Sequence, residues 1–407
     1  MKVGVVGGGA AGLVAAITAV RNGAEVTILE AEARVGQKLL STGNGKCNLG
    51  NLVLDPTCYY SGDTEFVARC LSRFGTKDTL AFFAELGLLT RDKNGYLYPF
   101  CEQAGAVLDV LRNEASALRI RVISERRVTG IKQDSRSSFL VQTGNECFSF
   151  DRVILCCGGK AAPKTGSDGS GYRLARALGH KVVPVVPALT FLKCEGDYFK
   201  AIAGVRTQAR ISLQNDRGEL LAGDQGELQL TEQGLSGIPI FQICRVAAYA
   251  LREGKRVWAE VDYLPQISEE ELKRLVEKRL PLQKNRTLEE FMTGILNKKI
   301  MQLLIKRAGL KGTAPANVMS LEKLESLLFE AKHFKTEVIG TGDFQHAQVC
   351  AGGVELSQIT DDFESKRIRG LYFAGELLDV DGKCGGYNLQ WAWTSGFLAG
   401  NAASRTV

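Results

Sequence analysis

The sequence predicts an α/β fold whose parallel sheet is interrupted by a β-rich insertion and a helical one. Three observations predict it. A β-branched run, KVGVVGGG, meets a glycine turn and then a helical pattern within the first twenty residues. The middle of the chain changes to alternating strands with polar turns, then to helical periodicity. Near the C-terminus the strand–glycine–helix style returns in GLYFAGELLDVDGKCGGYNLQWAWTSGFLAG, starting at Gly370.

In chain order, KVGVV reads as a buried strand because it is short, apolar and β-branched. AAGLVAAITAVRNG follows at helical spacing, with Gly23 as its C-terminal stop. EVTILE is the next strand, so a βαβ unit closes within thirty residues. From Glu65 to Ala115 two helical stretches flank the turn-rich RDKNGYLYPFCEQ. The run from Ile120 to Gly159 reads as successive strands, the last ended by Gly158 and Gly159. Composition shifts near Pro184 and Pro187. From there to Asp262 alternating strands are expected, with ARISLQNDRGELLAGDQGELQLT as the clearest hairpin. Ser268 to Lys332 turns helical, and SEEELKRLVEKRL opens with a serine N-cap and a glutamate at the third helical position. These shifts place a nucleotide-binding domain at 1–187, a β-rich insertion at 188–265, a helical domain at 266–335 and the domain's return at 336–407.

Composition removes several function classes. The 407 residues carry 51 Lys and Arg against 45 Asp and Glu, a net charge of +6 with no dense basic run. That argues against a dedicated nucleic-acid surface. Eleven cysteines and three histidines invite a metal reading. No CxxC pair exists, so reduced thiols and no metal are expected. No apolar run reaches the length of a membrane span, and a cytoplasmic protein with no membrane partner is expected. The abundant glycine, 45 residues, falls in clusters, which points to backbone lying close to a ligand.

Gly7-x-Gly9-x-x-Gly12 between a strand and a helix is a dinucleotide fingerprint. The first glycine permits the turn, the second lets backbone approach a pyrophosphate, and the third lets helix and strand pack. The helix N-terminus then holds the anion. Glu30 ends the second strand, 18 residues after Gly12, where a carboxylate accepts from both ribose hydroxyls. An acid there disfavours a 2′-phosphate, leaving FAD or NAD. The glycine- and amide-rich segment RVGQKLLSTGNGKCN comes directly after it and favours FAD, since simple NAD dehydrogenases need no such segment. Lys38, Gly43 and Asn44 are its candidate phosphate ligands.

At this point the chain resembles the HI0933-like flavoproteins, relatives of the glutathione-reductase flavin fold. The residues that carry the resemblance are VVGGGAAG, GQKLLSTGNGKCN, TGSDGSGYRLARALGH, LTEQGLSGIPI and the C-terminal stretch quoted above. The resemblance implies a discontinuous Rossmann-like FAD-binding domain of the glutathione-reductase type, with an inserted β-rich domain and a helical domain. FAD would be held non-covalently. It places Val128 beside the adenine, Glu376 near the ribityl chain, and the helix starting at Tyr387–Asn388 at the N1/O2 edge of the ring. A reduced flavin is negative there, which a helix N-terminus stabilises. Gly385 and Gly386 let that backbone approach. The resemblance extends the cofactor set to Ala10, Ala11, Ala31, Gln37, Leu39, Cys47, Asn48, Gly158 and Leu389. Lys383–Cys384 departs from the family pattern, which commonly shows an acidic or small residue and then threonine.

The flavin would supply hydride chemistry, and the protein orientation and proton handling. One dinucleotide fingerprint means no second domain holds NAD(P)H, which is expected as a transient co-substrate. Cys156–Cys157 ends an apolar strand, where packing rather than redox chemistry is expected. The first functional expectation is reduction of an activated C=C bond in a steroid-like small molecule, such as a 3-oxo-Δ4 or Δ4,6 bile acid. Tyr387 or Lys383 would be the proton donor. The alternatives are oxidation of a small amine such as aminoacetone by O2, and an RNA-associated flavoprotein.

Overall fold

The first strand, Lys2–Val6, is the centre of a five-stranded parallel sheet in the order Leu371–Phe373, Arg152–Leu155, Lys2–Val6, Glu25–Leu29, Arg121–Ile123. Val5 lies opposite both Ile28 and Ile154, and the run is buried from Val3 onward, as a strand flanked by two neighbours requires. The computed structural model describes residues 1–134, 138–283 and 285–405. These divide into one unit built from Met1–Pro187 and Phe344–Val407, and a second, Ala188–Asp343.

In the first unit the N-terminal helix, Ala10–Arg21, packs along the C-terminal helix, Tyr387–Ser404. Small residues make the approach possible. A Cβ on Gly396 would lie 2.5 Å from the Ala11 carbonyl oxygen, and one on Gly400 would strike that of Ala15. A three-stranded antiparallel meander, Gly130–Gln133, Phe139–Thr143 and Glu146–Phe150, sets the Phe150 ring against Gly4 of the first strand. Residues 135–137 of the strand run expected from Ile120 to Gly159 lie outside the described residues.

The stretch between Glu65 and Ala115 departs from its expected two helices. Three form, Thr64–Arg73, Thr76–Glu85 and Ala104–Ala117, because Gly75 breaks the first pattern and is recapped by the Asp78 carboxylate at 2.8 Å from its amide. The turn-rich segment is a β-hairpin, Thr90–Lys93 with Tyr96–Pro99, whose turn residues Asn94 and Gly95 both have positive φ. Asn-Gly is the residue pair that such a turn favours.

The second unit is a closed six-stranded barrel with helices. Its order is Leu192–Cys194, Gly234–Gly237, Leu220–Thr231, Arg206–Gln214, Val257–Asp262, Phe334–Thr341. The hairpin read from ARISLQNDRGELLAGDQGELQLT is the Arg206–Gln214/Leu220–Thr231 pair. Between barrel strands, IPIFQICRVAAYALR forms a helix, Ile238–Arg252, where alternating strands were expected. Pro239 in its first turn and burial of Ile240, Ile243, Cys244 and Ala247 explain it.

Two expected boundaries change here. The helices Glu269–Leu282, Leu288–Met292, Lys298–Arg307 and Leu321–Lys332 share one apolar core with the barrel, so 266–335 is not a separate domain. The Lys332 ammonium ties them together, donating to the Asp262 carboxylate at 2.9 Å and to the Leu264 and Ile267 carbonyls at 2.9 and 2.7 Å. The last barrel strand follows these helices, so the chain rejoins the first unit at Phe344 rather than at 336. Ser268 and Glu271 form the expected capping box. Residue 284 of the helical stretch lies outside the described residues. Among the described residues no helix is long and apolar enough to cross a membrane.

Candidate cofactor site

Gly7 turns the chain at φ +99°, and a Cβ there would lie 2.6 Å from the Cys156 carbonyl oxygen. Gly12 sits so close to Gly7 that a methyl would collide with the Gly7 carbonyl. A Cβ on Gly9 would meet nothing within 4 Å, so space lies open in front of the helix. No side chain caps this helix and no acid occupies its first turn. The amides near Ala10 and Ala11 are therefore left for an anion, as the fingerprint predicts.

Glu30 is nearly buried. Its Oε2 accepts from the Gly8 amide at 2.7 Å and its Oε1 from the Glu32 amide at 2.9 Å. Burial raises its pKa, and those amides pull the other way. The chain after Ile123 runs beside this strand end: the Arg126 amide donates to the Glu30 carbonyl at 2.8 Å and the Glu125 amide to Glu32 at 3.1 Å. Val128, buried, lies two residues beyond Arg126.

The glycine- and amide-rich segment bends repeatedly. Gly36 is at φ +77°, and Gly43, Asn44, Gly45 and Cys47 are all left-handed. For Asn44 and Cys47 this is a strained conformation, of the kind that concentrates at functional sites. The short helix Gln37–Ser41 buries Leu39 and leaves Gln37 and Lys38 half-exposed. The Lys38 ammonium does not stand free for phosphate: it pairs with the Glu376 carboxylate at 2.7 Å. The other Glu376 oxygen accepts from the Cys350 amide at 2.8 Å. The Cys47 thiol is fully buried and pushed up to about 12 by that burial, so only its backbone is available to a cofactor. With its side-chain oxygen and nitrogen assigned to match their neighbours, Asn48 donates to the Gly50 and Leu97 carbonyls at 2.8 and 3.1 Å and accepts from the Gly386 amide at 3.3 Å.

Asn48 thus joins the early loop to the second glycine junction. Gly385 and Gly386 are at φ +135° and +93°, and a Cβ on Gly386 would lie 2.6 Å from the Gly50 carbonyl oxygen. No side chain from the first turn caps the C-terminal helix. The Asn388 side chain is committed, accepting from the Gly382 amide and donating to its carbonyl, both at 2.8 Å. Leu389 is half-buried beside it. Gly375 at φ +74° donates to the Ser395 hydroxyl at 2.9 Å and accepts from the Trp391 indole at 3.3 Å, which fixes the loop carrying Glu376 against the last helix.

Gly396 meets Ala11, and Gly386 precedes it by ten residues. At the helical rise the two N-termini are therefore roughly 15 Å apart along that axis. Two uncapped helix starts at that separation fit the half of a dinucleotide that runs from its central phosphate pair to a terminal ring.

Several contacts here lie beyond what sequence reading could place. The Asn51 amide donates to the Gly385 carbonyl at 3.2 Å, and the Tyr59 hydroxyl to the Tyr387 carbonyl at 3.1 Å. Tyr96 lies against Gly385, and Tyr98 near Gly43. Asn51 is the residue that sequence reading passed over, and its closeness to the GNGKCN motif was the available signal. Tyr387 is buried edge-on to Tyr59, 5.7 Å between ring centres, and that burial pushes the pKa of its hydroxyl up. Lys383 donates its amide to the Cys58 carbonyl at 2.9 Å, and its charge acts on exposed Asp55. Gly158, at φ +68°, packs on Ser167. Cys156 packs against the N-terminal helix and Cys157 against Gly171, both with thiols raised by burial, Cys157 to about 12.

Comparison with known proteins gives a match over residues 1–402 to the family described as HI0933-like protein Rossmann domain. The chain is 44% identical over 406 residues to the 3-dehydro-bile acid delta(4,6)-reductase of Clostridium scindens, covering 99% of both chains. It is 29% identical over 411 residues to a ribosomal RNA dihydrouridine synthase of Haemophilus influenzae, covering 98% of each. The synthase of the same name from Escherichia coli is 26% identical over 397 residues, covering 96% of this chain and 95% of that one.

Proposed function

The chain belongs to the HI0933-like family, and from that premise we propose that it is an FAD-dependent oxidoreductase that saturates a C=C bond conjugated to a ketone in a steroid-like substrate. A 3-oxo-Δ4 or Δ4,6 bile acid is the type, with NAD(P)H as donor. The observation that carries the reading is identity of 44% along the full length of a reductase named for that reaction. The two uncapped helix starts agree with it.

Bound FAD would supply hydride chemistry, and this chain's residues would do the rest. The amides of Ala10, Ala11 and Gly12 would hold the pyrophosphate. Glu30 and Val128 would hold the adenosine half. Backbone at Gly43, Asn44 and Gly386 would hold the ribityl and ring end, and the last helix would stabilise negative charge on the ring. Tyr387, whose hydroxyl burial keeps protonated, would donate a hydrogen bond or proton to the reduced substrate. The Lys38–Glu376 pair would fix the loop between the two ends rather than touch phosphate.

A second reading has a specific observation behind it, the two relatives named as ribosomal RNA dihydrouridine synthases. Uridine and an enone share a C=C bond conjugated to a carbonyl, so one site chemistry serves both. Anaerobic titration separates the possibilities. With NADH and an oxo-steroid the flavin should cycle and the enone absorbance vanish without O2. Turnover with unmodified ribosomal RNA but not with the steroid replaces the substrate assignment. Bleaching by aminoacetone alone, with peroxide formed in air, replaces the reaction class by amine oxidation.

A further inference from the structure

The hairpin Thr90–Lys93 with Tyr96–Pro99 turns one face to the cofactor site. Tyr96 and Tyr98 alternate with buried Leu97 and Pro99, so the two rings share the open face. Each ring lies against one of the glycine loops. A Cβ on Gly385 would lie 3.0 Å from a Tyr96 ring carbon, and one on Gly43 would lie 3.8 Å from a Tyr98 ring carbon. The Tyr387 ring is 3.3 Å from that same Gly385 position, so Tyr96 and Tyr387 meet over one glycine. The placement is fixed by backbone. The strand Gly50–Asn51 pairs with Tyr96–Pro99, the Leu49 amide donates to the Leu97 carbonyl at 2.7 Å, and the Leu52 amide to the Gly95 carbonyl at 2.8 Å. The Asn51 side chain then holds the Gly385 carbonyl.

Other tyrosines of this unit spend their hydroxyls on the protein, Tyr59 on the Tyr387 carbonyl and Tyr172 on that of Glu376. Tyr96 is exposed and Tyr98 half-buried, and among the described residues neither hydroxyl has a hydrogen-bond partner. Across the ladder Lys93 stands opposite Tyr96, and Arg91 opposite Tyr98. Arg91 and Lys46 share one acid, Glu102, so this face carries three cations against one carboxylate. Asp92 alternates to the other face and accepts from the Gly95 amide at 2.6 Å. We propose that Tyr96 and Tyr98 are substrate-contact residues that seat a flat apolar molecule beside Tyr387, and that Lys93 receives an acid on that molecule. The proposal rests on the enone-reductase reading and deepens it: the occupant is a steroid-like acid whose ketone end meets Tyr387 and whose ring body lies along the tyrosines. Two aromatic rings take apolar surface out of water with few rotors to order. An exposed cation adds a modest attraction for the anion. A nucleobase and its phosphate would also suit tyrosines beside cations, but the chain has no dense basic run to follow a nucleic-acid backbone.

The test is an anaerobic binding titration of the flavin-loaded full chain without NAD(P)H, read from the shift of the flavin absorption band. The probes are a 3-oxo-Δ4 bile acid and a neutral 3-oxo-Δ4 steroid that lacks the acid. In Tyr96→Ala the dissociation constants of both rise about 10-fold, the loss expected for one aromatic contact, whereas Tyr96→Phe, which keeps the ring, stays near the parent. In Lys93→Met the acid binds about 3-fold more weakly and the neutral steroid is unchanged. Flavin content stays at the parent value in all three variants. A parent that binds both probes, with Tyr96→Ala binding them equally well, overturns the platform and leaves the reductase reading standing. A parent that shifts with neither probe overturns the reductase reading and the platform with it. Flavin lost from Tyr96→Ala reassigns the ring to the cofactor, and turnover of ribosomal RNA that falls in Tyr96→Ala reassigns it to a nucleobase; either result overturns the steroid platform.

Discussion

Gly396→Ala tests whether the contact between the first and last helices holds the two halves of the cofactor site together. The added Cβ lies 2.5 Å from the Ala11 carbonyl oxygen, where ordinary contact begins at 3.4 Å, so one helix must retreat by close to 1 Å. The obstacle is backbone and cannot rotate away, which puts the cost at the upper end of overpacking, about 3 kcal/mol. Alanine returns about 1 kcal/mol through its better helix propensity. The net loss is about 2 kcal/mol, roughly a 30-fold change in the folding equilibrium. Ala11 is in the first turn of the N-terminal helix, so the same displacement disturbs the anion site, and retained flavin should fall with stability. The assay is denaturant unfolding followed by intrinsic fluorescence, with the ratio of flavin to protein absorbance in the purified material. Gly105→Ala is the control: it lies in the helix Ala104–Ala117 with nothing within 4 Å of a new Cβ, and should stabilise slightly. Gly396→Ala protein with parent stability and full flavin content would refute the coupling.

Other consequences are equally direct. Lys38→Met and Glu376→Gln should each weaken flavin binding, and the double variant should be little worse than either, giving a coupling of about 1–2 kcal/mol in a double-mutant cycle on the FAD dissociation constant; additive effects would show that the pair does not act together. His333 lies between Glu260 and Glu269, at 3.3 and 3.0 Å; burial opposes its charge, but hydrogen bonds to Glu269 and Glu260 outweigh that and raise its pKa above the ordinary 6.5. A raised histidine stabilises fully below pH 6.5 and loses the contribution as pH rises through the elevated value, so His333→Gln should flatten that decline in urea midpoints measured across pH. Iodoacetamide should modify exposed Cys101 and Cys147 in the native protein and spare buried Cys47 and Cys156, as peptide mass spectrometry can read; early loss of the latter two thiols would contradict their burial.

Much of the site was legible because it is local. Gly7, Gly9 and Gly12 stand at fixed offsets between a strand and a helix, and steric exclusion of side chains leaves a mark in sequence. Glu30 was readable for the same reason, at the end of the strand that follows. The hairpin at Asn94–Gly95 carried its own signal in the residue pair, although the stretch around it read only as turns. What failed depended on partners far along the chain. The helix Ile238–Arg252 reads as strand in sequence because its apolar residues pass for either period until the barrel fixes which face is buried. The strand Phe334–Thr341 belongs to the barrel only because Val257–Asp262 and Leu192–Cys194 accept it on either side.

By itself the sequence determined the parallel α/β unit, the two glycine-to-helix junctions and the kind of ligand they suit, since each follows from what a short run of backbone can adopt and which atoms it leaves unpaired. Only the tertiary structure decided that Lys38 faces Glu376 rather than an anion, that Asn48 reaches Gly386, and that the Tyr59 hydroxyl reaches the Tyr387 carbonyl. Those pairs are separated by hundreds of residues, and their identity depends on which surfaces burial presses together, a property that no local pattern records.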